Sequence, residues 1–316
     1  MVRRKEAHLD FGKMENVDAV DFTLPPLDPR TTVRLGVVPA ASGFEVYLGA
    51  PAWASKAWTG EIYPAGAKRA DFLRLYAERF NCIELNLTHY RTPSEADVQR
   101  WIEETPSTFR FCPKVPQEIS HRRRLQNCEL ESDLFFKSGL GLGSRLGCVF
   151  LQLSPQFAPG DLPLLRAWLA RVPQQIEIAV EFRHPGFFQR GALLASAYDV
   201  LERAHAQTVI TDVAGRRDVL HASLTGPTLF LRLILNDLHP SDFLRSQAWA
   251  ERVAVWKTQG LTRAYLIAHQ PLDVAAPKFA THWARELNVA LGVDLKGPLD
   301  APLAPTTGEQ LGFFSE

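Results

Sequence analysis

The chain has 316 residues, of which 46% are hydrophobic and 22% are charged, so it is long enough for one large globular domain or two modest ones. Its 35 basic and 35 acidic residues cancel, which gives no support to broad electrostatic binding of nucleic acid or membrane surfaces. The four cysteines form no C-x-x-C pair, so neither a zinc ribbon nor a disulfide framework is indicated, and reduced thiols fit a cytoplasmic protein.

The first 45 residues are predicted to be an extension ahead of the main domain. They begin with a basic stretch that no apolar core follows, so they do not have the form of a secretory signal. The segment DFTLPPLDPR is rich in proline and has no steady hydrophobic period. Nowhere does the chain approach the ~20 continuous apolar residues that a membrane helix needs, so no membrane partner is predicted.

Eight short apolar runs follow from residue 46 onward, each with the length and composition typical of a β-strand. In chain order they are 46–49, 81–86, 109–114, 147–153, 176–183, 207–212, 228–235 and 263–269. Helical periodicity fills the stretches between them. Ser94 and Asp97 form a capping box, and Asp161 is a candidate N-cap. Ser241 and Gly260 are predicted to begin and end a later helix.

This alternation of strand and helix, repeated eight times, is typical of an α/β protein built as a (β/α)8 TIM-like barrel. The competing fold is an open doubly wound sheet. Eight units, with no Gly-rich phosphate loop after the first strand, favour the barrel. We therefore predict a single barrel domain over residues 46–292, with an N-terminal extension at 1–45 and a C-terminal tail at 293–316.

Polar residues at the strand ends are predicted to share one site. Side chains of a barrel strand alternate between the helix layer and the lumen. In the run 176–183 the even residues are all large and apolar, which points Glu181 and Arg183 into the lumen. The same split in the other strands points six more polar residues inward: Glu84, Asn86, Lys114, Gln152, Asp212 and Arg232. All lie at or near the carboxyl face, where barrel enzymes place their chemistry.

The charges of this predicted site indicate the kind of ligand it takes. The three carboxylates are Glu84, Glu181 and Asp212, and the three cations are Lys114, Arg183 and Arg232. A divalent metal needs an excess of carboxylate or neutral imidazole, so no cofactor is predicted. A divalent metal stays open as an alternative through four histidines, which are His89, His121, His184 and His269. Three fixed cations suit a small anionic molecule, such as a carboxylate or a phosphate.

Roles follow from the chemistry of each side chain. The anion would be held by Lys114, Arg183 and Arg232. The catalytic candidates are the acid/base carboxylates Glu84 and Glu181 and the proton carriers His121 and His184. The residues predicted to orient the substrate or its partners are Asn86, Gln152 and Asp212. Trp53 and Tyr63 lie in the loop after the first strand, where they either stack on a substrate ring or pack the rim.

The chain also resembles the YecE-like family, the domain of unknown function 72, over about residues 46–290. The residues that carry the resemblance, in order, are Trp53, Trp58, Tyr63 and Pro64; FNCIELNLTHYRTPS from Phe80 to Ser94; Trp101, Thr105, Pro106, Phe109, Phe111, Lys114, Ser120 and His121; LQLSP from Leu151 to Pro155; and EFRHP from Glu181 to Pro185. Tyr90, inside the second motif, joins the candidate substrate contacts. The family is similar in fold to endonuclease IV and xylose isomerase, which implies a TIM-like barrel but no reaction.

The sequence departs from the family pattern at the last two strands. Family members often carry an Arg-x-His-Gly run at the seventh strand, where this chain has RLILN, from Arg232 to Asn236. The Asn-rich end of the eighth strand is replaced by AHQP, from Ala268 to Pro271. Roles carried over from the family are weakest at these two strand ends.

Together these observations predict an enzyme, a hydrolase or a lyase, acting on a small anionic and sugar-like substrate by acid/base chemistry. Two alternatives stay open. The first is a metal-dependent phosphodiesterase or a DNA-repair nuclease like endonuclease IV, which would make nucleic acid a partner. The second is a non-catalytic ligand-binding barrel, in which the charges form an internal salt-bridge network.

Overall fold

The computed structural model describes residues 12, 14, 16–37, 43–271 and 273–303, so the basic N-terminal stretch and residues 304–316 lie outside the described part. The strands of this part are β1 (Glu45–Ala50), β2 (Cys82–Leu85), β3 (Arg110–Pro113), β4 (Val149–Gln152), β5 (Ile178–Glu181), β6 (Phe188–Gln189), β7 (Ala192–Leu193), β8 (Gln207–Asp212), β9 (Thr228–Ile234) and β10 (Arg263–His269).

Eight of these strands run parallel in one sheet, in the order β3-β2-β1-β10-β9-β8-β5-β4. The two strands at the ends of this order also meet. Val115 N donates to Phe150 O at 2.9 Å, and Gly147 N donates to Phe111 O at 2.7 Å. The predicted barrel is therefore confirmed as a nearly closed ring of eight parallel strands. β6 and β7 form a separate antiparallel hairpin that the strand pattern did not predict.

The α-helices of the described part are α1 (Pro29–Gly36), α2 (Phe72–Ala77), α3 (Leu87–Tyr90), α4 (Glu95–Glu104), α5 (Glu129–Leu140), α6 (Leu162–Leu169), α7 (Ala195–Arg203), α8 (Pro240–Gln259) and α9 (Ala276–Leu291). Short 3₁₀ turns occupy Lys56–Trp58, Arg69–Asp71, Gly143–Arg145, Pro159–Asp161, Pro185–Phe187, Ala214–Val219 and Asp273–Ala275, and a π-helical turn occupies Glu118–Arg122. None of the helices described combines the length and apolar character that crossing a membrane requires.

The predicted helix ends can be compared with the observed ones. Ser94 Oγ accepts from Asp97 N at 3.1 Å and the Asp97 carboxylate accepts from Ser94 N at 3.1 Å, so the capping box is confirmed. Gly260 ends α8 with a φ of 117°, a left-handed conformation that favours glycine. The start of α8 is corrected: His239 is its N-cap and accepts from Ser241 N at 3.2 Å. Asp161 does precede α6, but its side chain makes no cap bond there.

The sixth strand–helix unit departs from the predicted alternation. In the fully described stretch between β8 and β9, a 3₁₀ turn and extended backbone replace an α-helix. α1 packs there instead, because Thr31 Oγ1 donates to Ala222 O at 3.3 Å and accepts from Leu224 N at 2.8 Å. Leu35 of α1 is fully buried in the outer core. The expectation of a helix after every strand is wrong here, and the N-terminal extension completes the outer layer.

The interior of the barrel is a packed core. The lumen-facing residues that fill it are Tyr47, Cys82, Cys112, Cys148, Phe150, Ala179, Val209, Phe230, Tyr265 and Ile267. The three cysteines of this set and Cys128 are buried free thiols, as the composition predicts. Because side chains fill the lower layers, a ligand can reach only the polar groups above them, at the carboxyl ends of the strands.

Candidate site at the carboxyl face of the barrel

A buried arginine joins three strands at the barrel mouth. Arg232 of β9 is 5% exposed, and its Nε and Nη2 donate to the two oxygens of Glu84 from β2, at 2.8 and 3.0 Å. Its Nη1 donates to Glu181 Oε2 from β5 at 3.0 Å. These strands lie apart in the ring, but their lumen-facing side chains meet at its centre.

The two carboxylates have further donors. Glu181 accepts from Gln152 Nε2 at 2.8 Å and from Arg183 Nε at 3.0 Å. Glu84 accepts from Asn86 Nδ2 at 3.0 Å, and His269 Nε2 lies 3.0 Å from its Oε2. We call this set the Arg232 network, and its members are Glu84, Asn86, Gln152, Glu181, Arg183, Arg232 and His269. Six of the seven are residues that the sequence predicts for this mouth.

Both carboxylates of the network stay ionised although they are buried. Burial is the largest single effect and raises the pKa of Glu84, but the charges and hydrogen bonds of Arg232 and His269 together outweigh it and hold this pKa well below its usual range. The same balance, with Arg183 adding to Arg232, lowers the pKa of Glu181 to about 2. Neither group carries a proton at neutral pH, so neither can donate one as a general acid.

Arg232 itself has little left to offer a ligand. Its Nε and both terminal nitrogens donate to carboxylates, and its side chain is almost fully buried. The role predicted for Arg232, holding an anion, is therefore corrected: it holds Glu84 and Glu181. The prediction went wrong because strand alternation gives the direction of a side chain but not its partners.

Lys114, directly after β3, is the cation of this mouth that lacks an acidic partner among the described residues. It is 8% exposed, and its Nζ lies 5.7 Å from the centre of the Phe150 ring. Within the described part of the chain this ammonium makes no hydrogen bond or ion pair. Burial, together with the charge of Arg232, lowers the pKa of Lys114 to about 7. Both protonation states are therefore populated near neutral pH.

Two neutral imidazoles adjoin Lys114. The rings of His89 and His121 meet edge to face with their centroids 5.2 Å apart. Burial, followed by the charge of Lys114, lowers the pKa of His89 to about 3 and that of His121 to about 4. His89 Nδ1 lies 2.9 Å from Val115 O, which only accepts, so Nδ1 carries the proton and Nε2 keeps a lone pair.

Two buried hydroxyls at this end of the barrel lack hydrogen-bond partners among the described residues. They are Ser154 Oγ, two residues beyond Gln152, and Thr211 Oγ1, opposite Arg232 in the β8–β9 register. Ser154 is 4% exposed and Thr211 is 5% exposed. Because buried polar groups are normally hydrogen-bonded, an ordered water or a group of a bound ligand would be needed to complete these two hydroxyls.

Asp212 does not face the lumen, so its predicted place in the site is corrected. Its carboxylate accepts from Trp249 Nε1 at 2.7 Å and from Arg245 Nη2 at 2.9 Å, and both partners belong to α8. Arg217 also bonds it. Val209 is the lumen-facing residue of β8, which puts Thr211 inward and Asp212 outward. The predicted register was off by one residue because both rows of this strand mix polar and apolar residues.

Replacing Asp212 by asparagine is expected to lower the free energy of unfolding by about 2–3 kcal/mol, the usual cost of losing hydrogen bonds to a buried charge. Binding of an anion at the barrel mouth should be unchanged, because Asp212 is on the opposite face of β8. Urea denaturation and calorimetric titration with inorganic phosphate measure the two quantities separately. Weaker phosphate binding with an unchanged free energy of unfolding would contradict the outward placement of Asp212 and show that it belongs to the site.

A cleft beside the network gathers three of the predicted substrate contacts. This Trp53 cleft has a volume of about 650 Å³ and is lined by Pro51, Ala52, Trp53, Ala54, Arg69, Ala70, Leu73, Glu84, Leu85, Asn86, Leu87, Tyr90, Arg100 and Glu104. Trp53 and Tyr90 supply aromatic surface, and Asn86, a member of the network, lines the cleft with them. Tyr63 is excluded, because it is fully buried and donates its hydroxyl to Trp53 O at 2.8 Å. Its predicted substrate contact is corrected to a packing role.

The N-terminal segment lines a second cavity at the mouth. Asn16, Val17 and Asp18 line a cavity of about 700 Å³ together with His269. His239 Nε2 lies 3.1 Å from Asp18 Oδ1, which ties the segment to the loop after β9. The extension therefore takes part in shaping the entrance to the barrel.

The histidines differ from their predicted places. His184 Nδ1 accepts from Gly186 N at 3.0 Å and caps a short turn, so its role as a proton carrier stays a prediction without a contact to the network. His269 and His89 enter the site instead. The alternation Tyr265, Ile267, His269 in β10 is the signal that could have found His269, since the first two fill the lumen. Among the residues that the structure describes, no group of three or more His, Cys, Asp or Glu side chains is arranged to hold a metal ion.

The part of the chain that is similar to known proteins coincides with the barrel. A family model described as "Protein of unknown function DUF72" matches residues 47–302. The protein YecE of Escherichia coli K12 is 31% identical over 257 residues, which cover 75% of this chain and 91% of YecE. YunF of Bacillus subtilis is 27% identical over 151 residues, 45% of this chain and 52% of YunF.

Solved structures show the same fold. The crystal structure of a DUF72 family protein from Thermotoga maritima superposes with a TM-score of 0.64 at 20% identity, covering 77% of this chain and 99% of that one. A DUF72 family protein from Enterococcus faecalis gives a TM-score of 0.62 at 18% identity, covering 80% of this chain and all of that one. At this level of identity the likeness shows the fold alone.

Proposed function

The chain belongs to the DUF72 family, and from that premise and the geometry of its barrel mouth we propose an enzyme that acts on a small anionic substrate. The substrate bears a phosphate or a carboxylate, and the chemistry is proton transfer at the carboxyl face of the barrel. The observation that carries this proposal is Lys114, a buried amine without an acidic partner among the described residues, next to a network of matched charges.

The charge balance of the site favours an anion. Within the Arg232 network, Arg183 and Arg232 balance Glu84 and Glu181. Asp212, one of the three carboxylates predicted for the site, is paired outside the lumen with Arg217 and Arg245. Protonated Lys114 therefore gives the mouth an excess positive charge, and a low-dielectric surrounding strengthens the pull of that charge on an anion.

The structure favours a different division of roles from the one that residue types alone indicated. Glu84 and Glu181, tied to Arg232, serve as positioning residues that fix the guanidinium and the rim. Lys114 titrates near neutrality, so it is the proton carrier best matched to the working pH. His121, neutral and half-buried beside it, is the second carrier.

The anion and the rest of the substrate have separate places. Arg183 lies at the rim with 15% of its side chain exposed, where it can meet an anionic group of the ligand while its Nε holds Glu181. The Trp53 cleft, next to Asn86, has room for a sugar-sized body that stacks on Trp53 or Tyr90. A non-catalytic binding barrel would need the same pockets but no amine that titrates near neutral pH.

Binding of inorganic phosphate is expected to be accompanied by proton uptake by the protein at pH 7–7.5, after allowance for the protons that phosphate itself exchanges in this range. A bound anion stabilises the protonated form of Lys114 and raises its pKa above 7, so the complex holds more protons than the free protein. Calorimetric titration in buffers of different ionisation enthalpy measures this uptake as a slope. Pyruvate and ribose 5-phosphate, tested alongside, separate carboxylate from phosphate recognition.

Two matched variants sharpen this test. Arg183→Gln should weaken binding about 10- to 100-fold, the loss expected for a charge-assisted hydrogen bond. Arg171→Gln removes an exposed arginine that pairs with Asp133 on the surface and should bind as the wild type does. No binding of any of the three anions, or binding that ignores Arg183→Gln and exchanges no proton, would refute the proposed function.

A further inference from the structure

The surroundings of Lys114 are unusual for a lysine that only binds anions. A lysine that holds phosphate or carboxylate is normally a solvated, fully charged ammonium. Lys114 instead lies in the barrel mouth at 8% exposure, with its Nζ over the Phe150 ring. The cations Arg232 and Arg183 disfavour a charge on this amine, and the carboxylates of Glu84 and Glu181 favour it. Burial is the largest effect, and it favours the neutral amine. An amine desolvated next to other cations is the arrangement that makes lysine a nucleophile.

The groups needed to move protons around such an amine are also in place. His89 carries its proton on Nδ1, toward Val115 O, and keeps a lone pair on Nε2. Ser120 Oγ donates to Pro116 O at 3.0 Å, so its contact of 2.8 Å with His121 Nδ1 is a bond that the imidazole donates. Each ring therefore carries a proton on Nδ1, and because burial lowers the pKa of both rings, Nε2 has no proton and can accept one as far as the described residues show.

We propose that Lys114 forms an imine with a small aldehyde or ketone that also bears a carboxylate or phosphate. This inference rests on the proposed function and narrows its substrate to an anionic carbonyl compound. Arg183 would hold the anionic group at the rim, and the unpaired hydroxyls of Ser154 and Thr211 would bind the polar remainder.

The step balances without a cofactor or an oxidant. The lone pair of Lys114 Nζ attacks the carbonyl carbon, a C–N bond forms as the C=O π bond opens, and one nitrogen proton passes to the oxygen. The hydroxyl of this carbinolamine takes a second proton from a neighbouring acid and leaves as water when the C–O bond breaks. The remaining nitrogen proton returns to the group that supplied that proton, so both protons of the water come from the amine. His121 and His89 adjoin the amine and can relay these protons through Nε2, although burial lowers the pKa of both rings and makes them weak bases.

Trapping with borohydride tests the inference on the full-length protein. The wild type is incubated at pH 7.5 with pyruvate or glyoxylate, reduced with sodium borohydride, digested, and examined by peptide mass spectrometry. Reduced adduct is expected at Lys114 at least tenfold above the level at Lys137, an exposed lysine of α5 that reports background reactivity. Excess inorganic phosphate should suppress labelling at Lys114 and leave Lys137 unaffected.

Two variants keep the outcome interpretable. Lys114→Arg retains a cation but cannot form an imine, and Lys114→Met removes both properties; each should lose the adduct while circular dichroism reports the native fold. Labelling of Lys114 no stronger than that of Lys137 with both probes overturns the inference. If phosphate binding with proton uptake persists in that case, the imine fails while the proposed function stands; loss of phosphate binding as well rejects both.

Discussion

Replacing Arg232 by methionine is expected to lower the free energy of unfolding by about 3–5 kcal/mol, the cost of removing one partner from a buried ion pair. The variant would leave Glu84 and Glu181 buried side by side without their shared cation. Guanidinium chloride denaturation followed by circular dichroism measures the loss. The effect is large because two carboxylates, on two different strands, depend on one guanidinium.

The triple variant Arg232→Met, Glu84→Gln, Glu181→Gln is the matched control, since it removes the stranded charges together with their partner. It should recover most of the lost stability. The wild-type network contributes fully above the unfolded glutamate pKa of about 4.3. That contribution disappears as the pH falls through the folded value, which is about 2 for Glu181, so the deficit of Arg232→Met should shrink in acid. A deficit that the triple variant does not reduce would show that lost packing dominates.

Replacing Lys114 by methionine is expected to raise stability at pH 7 by about 1–4 kcal/mol, because an amine with no acidic partner in the described structure is replaced by an apolar chain of similar length. The folded pKa of about 7 lies below the unfolded value of about 10.4, so between these limits the unfolded chain binds more protons. Wild-type stability should therefore rise with pH, by at most about 1.4 kcal/mol per unit, and the advantage of Lys114→Met should narrow.

Urea denaturation of both proteins from pH 7 to pH 10 checks this. Lys137→Met, at an exposed site, should change stability by no more than about 0.5 kcal/mol at any of these values. A Lys114→Met variant that is less stable than the wild type by a constant amount over the whole range would contradict the description of Lys114 as a strained buried amine. Greater stability with loss of ligand binding would be the signature of a functional residue.

The strand pattern was enough to predict the barrel and the direction of most inward side chains. Large apolar residues on every second position of β5 leave no doubt about which row faces the helices, and Glu181 follows from that row. β8 offers no such contrast, since Ile210 and Val209 are both apolar and both rows contain threonine. There only the packing of α8 against the strand decides, and that contact is remote in sequence.

Partners and burial could not be predicted, because they depend on distances across the ring. Nothing local distinguishes Arg232, whose three nitrogens all donate to two glutamates, from Arg183, which reaches the rim. Likewise Tyr63 and Trp53 lie in one aromatic loop, yet one is sealed in the core and the other lines a cleft. The residues of the mouth follow from their positions in the strands, whereas their roles depend on contacts between strands that are distant in sequence.

Because α1 of the N-terminal segment packs in the outer layer, the packed structure begins earlier in the chain than the family match does. The family match begins at residue 47, whereas the packed structure reaches back at least to the buried N-cap Asp28, which accepts from Ser223 Oγ at 2.6 Å. A fragment trimmed to the region of similarity would uncover Ala222 and Leu224, both fully buried in the whole chain. Expression of the matched region alone would thus yield a destabilised fragment with exposed core residues. A lack of activity in that fragment would not show that the barrel of the whole chain is inactive.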